Sequence, residues 1–146
     1  GLVISNEKER LAQYIQALEF YIHTKASGYI DGIVFVDNSG YDVSQIREKY
    51  ASDDVEIISF YGLDYPQEYH RGYGEMTLVI KAYEHSKLLQ SATKRDYVWK
   101  ITGRYTIKNI NSVIRFSDYN FDVLCKLNKG WMAMEIFSWS QKGFSE

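Results

Sequence analysis

The chain has 146 residues, 45% of them hydrophobic and 25% charged, with a net charge of −2. That is ordinary for a globular protein with one sizeable core, and one domain is expected across residues 1–146. The charge balance excludes general electrostatic attraction to nucleic acid, and no apolar run reaches the roughly 18 residues of a membrane helix.

No signal peptide is visible, so a cytoplasmic location is expected, with peripheral contact at the inner face of the membrane left open. The single cysteine, Cys125, cannot form an internal disulfide and fits a reducing compartment. Its neighbours Val123 and Leu124 predict a buried thiol. Oligomeric state has no readable signature.

The opening Gly1-Leu2-Val3-Ile4 reads as a cut edge, the apolar triplet being the tail of a lost strand. Asn6 and Glu9 then form a capping-box pattern. The helix they predict carries Leu11, Tyr14, Ile15, Leu18 and Ile22 on one apolar face and ends near Thr24. Ile33-Val34-Phe35-Val36 is a continuous β-branched run, the pattern of a buried parallel strand. It ends in the turn Asp37-Asn38-Ser39-Gly40, and a short helix is predicted from about Val43 to Tyr50. Val55 to Phe60 gives a second strand. Tyr61 to Gly74 is the longest irregular segment, with the only proline and four tyrosines. A third helix is predicted over Glu75–Leu89 with Met76, Val79, Ile80, Tyr83 and Leu88 inward. A third strand follows at Asp96–Ile101, then a helix at Ile107–Phe116. Phe121–Cys125 and Trp131–Trp139 read as two further strands, or a strand and a short helix. This alternation predicts an α/β fold with a mainly parallel twisted sheet flanked by helices.

In such a sheet, ligands bind outside the carboxyl ends of the strands. Three patches fall there: Asp37 to Gly40, Tyr61 onward, and Thr102 to Tyr105. Asp37, Asn38 and Ser39 can hydrogen-bond a ribose or base, and equally can form a turn and a helix cap. Arg71-Gly72-Tyr73-Gly74 leads into a helix and can hold a phosphate, with Glu75 in the first turn as dipole partner or cap. His70 is a base, a phosphate contact or an exposed bystander. Lys100 and Arg104 flank the end of the third strand, where two cations can stabilise a diphosphate leaving group or pair with Glu75 or Asp96. There is no GxSxG, no HExxH and no Cys/His cluster. No Asp-x-Asp triplet occurs either, so no residue is assigned to a metal.

Four segments in order resemble a group of bacterial glycosyltransferases of capsule, O-antigen or other surface-polysaccharide synthesis, GT-A-like in fold. They are Glu9-Arg10-Leu11-Ala12-Gln13-Tyr14, Ile33 to Gly40, Arg71-Gly72-Tyr73-Gly74-Glu75, and Lys100-Ile101-Thr102-Gly103-Arg104-Tyr105. Their order and spacing match over roughly residues 9 to 115. The resemblance implies a GT-A/Rossmann-like architecture lacking its first strand, and a UDP-, GDP- or CMP-sugar donor. Asp37, Asn38 and Ser39 would lie near the nucleoside; Arg71, Gly72, Gly74 and Glu75 would lie at the donor or its phosphates. Thr102, Gly103 and Arg104 would occupy the place of the Asp-x-Asp motif, with Lys100 or Arg104 standing in for the ion; divalent-metal dependence is left open. Glu75 or Asp64 would act as base on a glycan or lipid-linked acceptor. The rivals are a non-catalytic nucleotide- or partner-binding module and a nucleotidyltransferase.

Overall fold

The computed structural model describes residues 2–62, Pro66, Glu68, Tyr69 and 71–145, with the side chains of residues 2–6, 71 and 145 outside that description. The chain divides into two compact units, Gly32–Asp96 and Gly1–Asp31 with Tyr97–Glu146. The former is continuous in sequence and the latter is split.

The continuous unit starts with β1 (Ile33–Asp37), crosses through α2 (Ser44–Tyr50), which follows the long α1 (Leu2–Lys25) of the split unit in chain order, and returns in β2 (Val55–Ser59). β1 and β2 pair in parallel, in register from Ile33 opposite Val55 to Asp37 opposite Ser59. A helical crossover is what a parallel pair requires. Val43, Ile46, Val55, Ile57, Val79 and Ala82 are the buried apolar residues of this unit. Burying a side chain of Ile or Val size contributes about 1.5–3 kcal/mol. Beyond β2 come α3 (Arg71–His85) and the single turn α4 (Lys87–Gln90).

A carboxylate on β2 fixes that turn. Glu56 Oε1 accepts from Ser86 Oγ at 2.9 Å and from Leu88 N at 2.8 Å, and Oε2 accepts from Lys87 N at 3.0 Å. Ser86 is the N-cap and in turn accepts from Leu89 N at 3.0 Å. The first amides of a helix lack intrahelical partners, and here a side chain from a neighbouring strand supplies them.

In the split unit, α1 is joined by β3 (Tyr97–Ile101), α5 (Ile110–Phe116), β4 (Val123–Asn128), β5 (Trp131–Ser140) and α6 (Gln141–Ser145). Ala17, Leu18, Tyr21, Ile110, Ile114, Phe137 and Trp139 are its buried apolar residues. β4 and β5 form a hairpin through Lys129 and Gly130, whose φ angles are 51° and 82°. Two consecutive residues at positive φ match the right-handed twist of the flanking strands, and glycine takes one of those places without strain.

The mainly parallel sheet expected from the sequence is not what forms. The strands make a two-stranded parallel sheet, β1-β2, and a separate three-stranded antiparallel sheet in the order β3-β5-β4. β3 finds its hydrogen bonds on β5, with Tyr97 opposite Ser140 and Ile101 opposite Ile136. The ten-residue β5 offers two edges, one taken by its hairpin partner and the other by β3. β1 and β2 are accordingly half-buried for most of their length rather than covered on both faces.

Smaller departures share local causes. Leu2, Val3 and Ile4 continue α1 in its backbone rather than forming the tail of a strand, so Asn6 lies inside the helix and does not begin it. Arg71 to Gly74 form the first turn of α3 instead of a loop before it. Met76 and Ile80 are exposed, while Val79 and Ala82 are buried. Cys125 is exposed, because it lies on an edge strand whose residues are all exposed.

Candidate functional site

The carboxyl ends of β1 and β2 bring two loops together. Phe60 N donates to Asp37 O at 3.0 Å and Gly62 N to Asn38 O at 3.1 Å, with a bridge between Ser39 and Tyr61. Asp37 is buried, and its Oδ2 accepts from Ser39 Oγ at 2.5 Å and Ser39 N at 3.2 Å. Ser39 Oγ accepts from Tyr41 N at 3.3 Å. The carboxylate therefore shapes its own turn. Asp37 does not cap α2, whose N-cap is Val43 with no side-chain cap bond.

Two groups remain presented at this edge. The side-chain amide of Asn38 makes no hydrogen bond among the described residues, and Tyr61 is 87% exposed. Gly40 explains the position of the tyrosine. Its φ is 76°, and a Cβ added there would lie 2.4 Å from Tyr61 Cδ2. The Cδ2 edge of the ring thus lies against the glycine backbone, and the rest of the side chain is open to solvent. An uncommitted amide and an exposed aromatic ring at the same strand ends suit a planar heterocycle carrying hydrogen-bonding edges.

Glu75 lies one turn inside α3 and is half-buried. Among the described residues, no side chain or other non-neighbouring atom lies within 4 Å of the position a Cβ at Gly72 would take, and Gly74 is buried in the first turn of the helix. Asp64 and His70 lie outside the described residues, as does the side chain of Arg71.

Lys100, Thr102, Gly103 and Arg104 belong to the split unit. Lys100 Nζ donates to Met134 O and sits 5.8 Å from the centre of the Phe137 ring. Its ammonium is thus engaged by strand neighbours. Thr102 N donates to Glu135 O at 2.9 Å, and Arg104 N donates to Thr102 Oγ1 at 3.3 Å. The loop after β3 is then pinned to α1 by one phenol. Tyr21 Oη donates to Tyr105 O at 3.3 Å and accepts from Ile107 N at 3.0 Å. Burial raises the Tyr21 pKa above its ordinary value, against the lowering effect of the Ile107 amide.

This arrangement leaves the Arg104 side chain beside α1, where it lines a polar cavity of about 180 Å³ with Glu9, Arg10 and Gln13. Arg10 and Gln13 stand three residues apart on the helix and so share a face. Reasoning from sequence missed both. The signal was present as a polar pair at helical spacing, and attention to the apolar stripe hid it. Among the described residues, no group of three or more His, Cys, Asp or Glu side chains is placed to hold a metal ion. No helix among them is long and apolar enough to cross a membrane.

Comparison with known protein families, with curated proteins and with solved structures finds no match for this chain.

Proposed function

We propose that this chain binds a nucleotide sugar and transfers its sugar to a glycan or lipid-linked acceptor, in the manner of the bacterial surface-polysaccharide transferases its four segments resemble. One observation carries the reading. The paired ends of β1 and β2 carry the unengaged amide of Asn38 and the exposed ring of Tyr61, on segments joined by the Ser39–Tyr61 bridge and by Gly62 N donating to Asn38 O. The carboxyl end of a parallel β-α-β unit is where α/β proteins bind nucleotides. In this reading Tyr61 stacks on the base, and Asn38 bonds its edge or the ribose. Asp37 is a positioning residue that fixes the turn through Ser39.

The test is binding of UDP, GDP and CMP, followed by the rise in melting temperature that a ligand specific for the native state produces. Tyr61→Ala and Asn38→Ala are each expected to weaken the preferred nucleotide, Tyr61→Ala by about 1–3 kcal/mol if stacking operates. Equal affinity of wild type and both variants would sink the assignment.

A second reading, a nucleotide-binding module without catalysis, is favoured by the state of Lys100. Its ammonium already serves Met134 O. Time-dependent release of free nucleotide from a nucleotide sugar separates the two, since a binder releases none.

A further inference from the structure

We infer that the cavity between α1 and the loop after β3 is an oxyanion site, in which Arg10, Arg104 and Gln13 hold a phosphate or diphosphate group. The cavity lies wholly within the split unit. Two guanidinium groups and one carboxylate line it, leaving one positive charge in excess. Neither Arg10 nor Arg104 has an ion-pair or hydrogen-bond partner for its side chain among the described residues. Glu9 lines the same cavity, yet it forms no ion pair with either arginine.

Two like charges lining one cavity, neither ion-paired with the Glu9 carboxylate there, are stabilised by a bound dianion. The choice of residue adds information. A guanidinium offers a planar fork of donors that matches phosphate oxygens in pairs, which an ammonium does not. The Gln13 amide adds a neutral donor on the helix side. Arg104 is prepared for this work by its backbone: Thr102 holds its amide, and Tyr21 anchors Tyr105 and Ile107 just beyond it. The main chain is fixed and the side chain is uncommitted.

The class of ligand rests on these groups alone. The identity of its source rests on the glycosyltransferase reading, which offers two: a nucleoside diphosphate, or the phosphate of a lipid-linked acceptor. Inorganic pyrophosphate is the probe for the shared chemistry. Titrated at constant ionic strength into the intact chain, it is expected to bind. Arg10→Ala and Arg104→Ala are each expected to weaken it at least tenfold, which is about 1.4 kcal/mol. Arg10→Gln, which is shorter but keeps the apolar stem and a neutral donor, guards against a folding defect, and a circular dichroism melt of each variant checks the fold. Arg10→Gln is expected to lose affinity with an unchanged melt.

UDP and geranyl phosphate, used as competitors, name the source: the one that displaces pyrophosphate in wild type is the group the site holds. Pyrophosphate binding that is absent in wild type, or equal in wild type and folded Arg10→Gln, overturns the proposal. The two readings fail separately. Loss of nucleotide release leaves pyrophosphate binding untouched, and loss of pyrophosphate binding in Arg10→Gln is measured without any sugar donor.

Discussion

Replacing Glu56 by alanine removes one carboxylate and, with it, three hydrogen bonds to a turn 30 to 32 residues away in sequence. Ser86 Oγ, Lys87 N and Leu88 N lose their acceptor together. Ser86 has no exposed surface, so water cannot replace Glu56 at its hydroxyl without rearrangement. Hydrogen bonds to a charged group contribute about 1.5–3 kcal/mol each, and loss of a helix cap alone costs about 0.5–2 kcal/mol. Lys87 is exposed and its amide can find water, which lowers the sum. A net loss of about 3 kcal/mol is expected for Glu56→Ala, which in a chain of this size lowers the melting temperature by roughly 6–12 °C. Glu56→Gln keeps the Oε1 acceptor and is expected to lose about 1 kcal/mol. Urea denaturation followed by circular dichroism measures both, and the Glu56→Ala, Ser86→Ala double variant is expected to fall short of the sum of the singles. A loss below about 0.5 kcal/mol in Glu56→Ala would refute the reasoning.

Gly40→Ala is expected to destabilise the continuous unit by about 1–2 kcal/mol from its positive φ alone, and to weaken nucleotide binding by displacing Tyr61; melting and nucleotide titration read the two effects. Tyr21→Phe leaves the Ile107 amide without its acceptor and is expected to cost about 1–3 kcal/mol. The raised Tyr21 pKa gives this a pH signature. Stability from the neutral phenol is complete below its unfolded pKa of about 10 and falls as pH rises through the higher folded value, so Tyr21→Phe should flatten the alkaline limb of a stability–pH curve. The Asp42 carboxyl is held below its ordinary range by its hydrogen bonds to Ser44. Its contribution is present above the unfolded pKa and is lost as pH falls through the folded one. Ser44→Ala should move the Asp42 titration upward in a carboxyl NMR experiment.

Much of the element order was legible because it rests on local patterns. The β-branched runs at Ile33 and Val55 became strands, and the helical spacing of Leu18 and Ile22 lies in a helix. Strand partners were not legible, since they depend on contacts far apart in sequence. Nothing in Val98-Trp99-Lys100-Ile101 specifies whether it joins a parallel neighbour or the edge of β5. The hairpin that creates that edge turns on Lys129-Gly130, a weaker signal than Asn-Gly or Asp-Gly. For the candidate site, Asn38 was named from its position at a strand end. Tyr61 was named as the start of a strand-end patch but not singled out within it, because its contact with Gly40 is a tertiary one. Lys100 illustrates the converse. Its place after an apolar run suggested a free cation, but a strand paired on that side provides a carbonyl for it to serve.

The central claim is tested most directly by incubating the chain with UDP-, GDP- and CMP-sugars and following free nucleotide over time. Time-dependent release from at least one donor, greatly reduced in Tyr61→Ala at a donor level that does not saturate it, is the expected result. Absence of release from every donor, with no melting-temperature rise from any of the three nucleotides, would contradict the account.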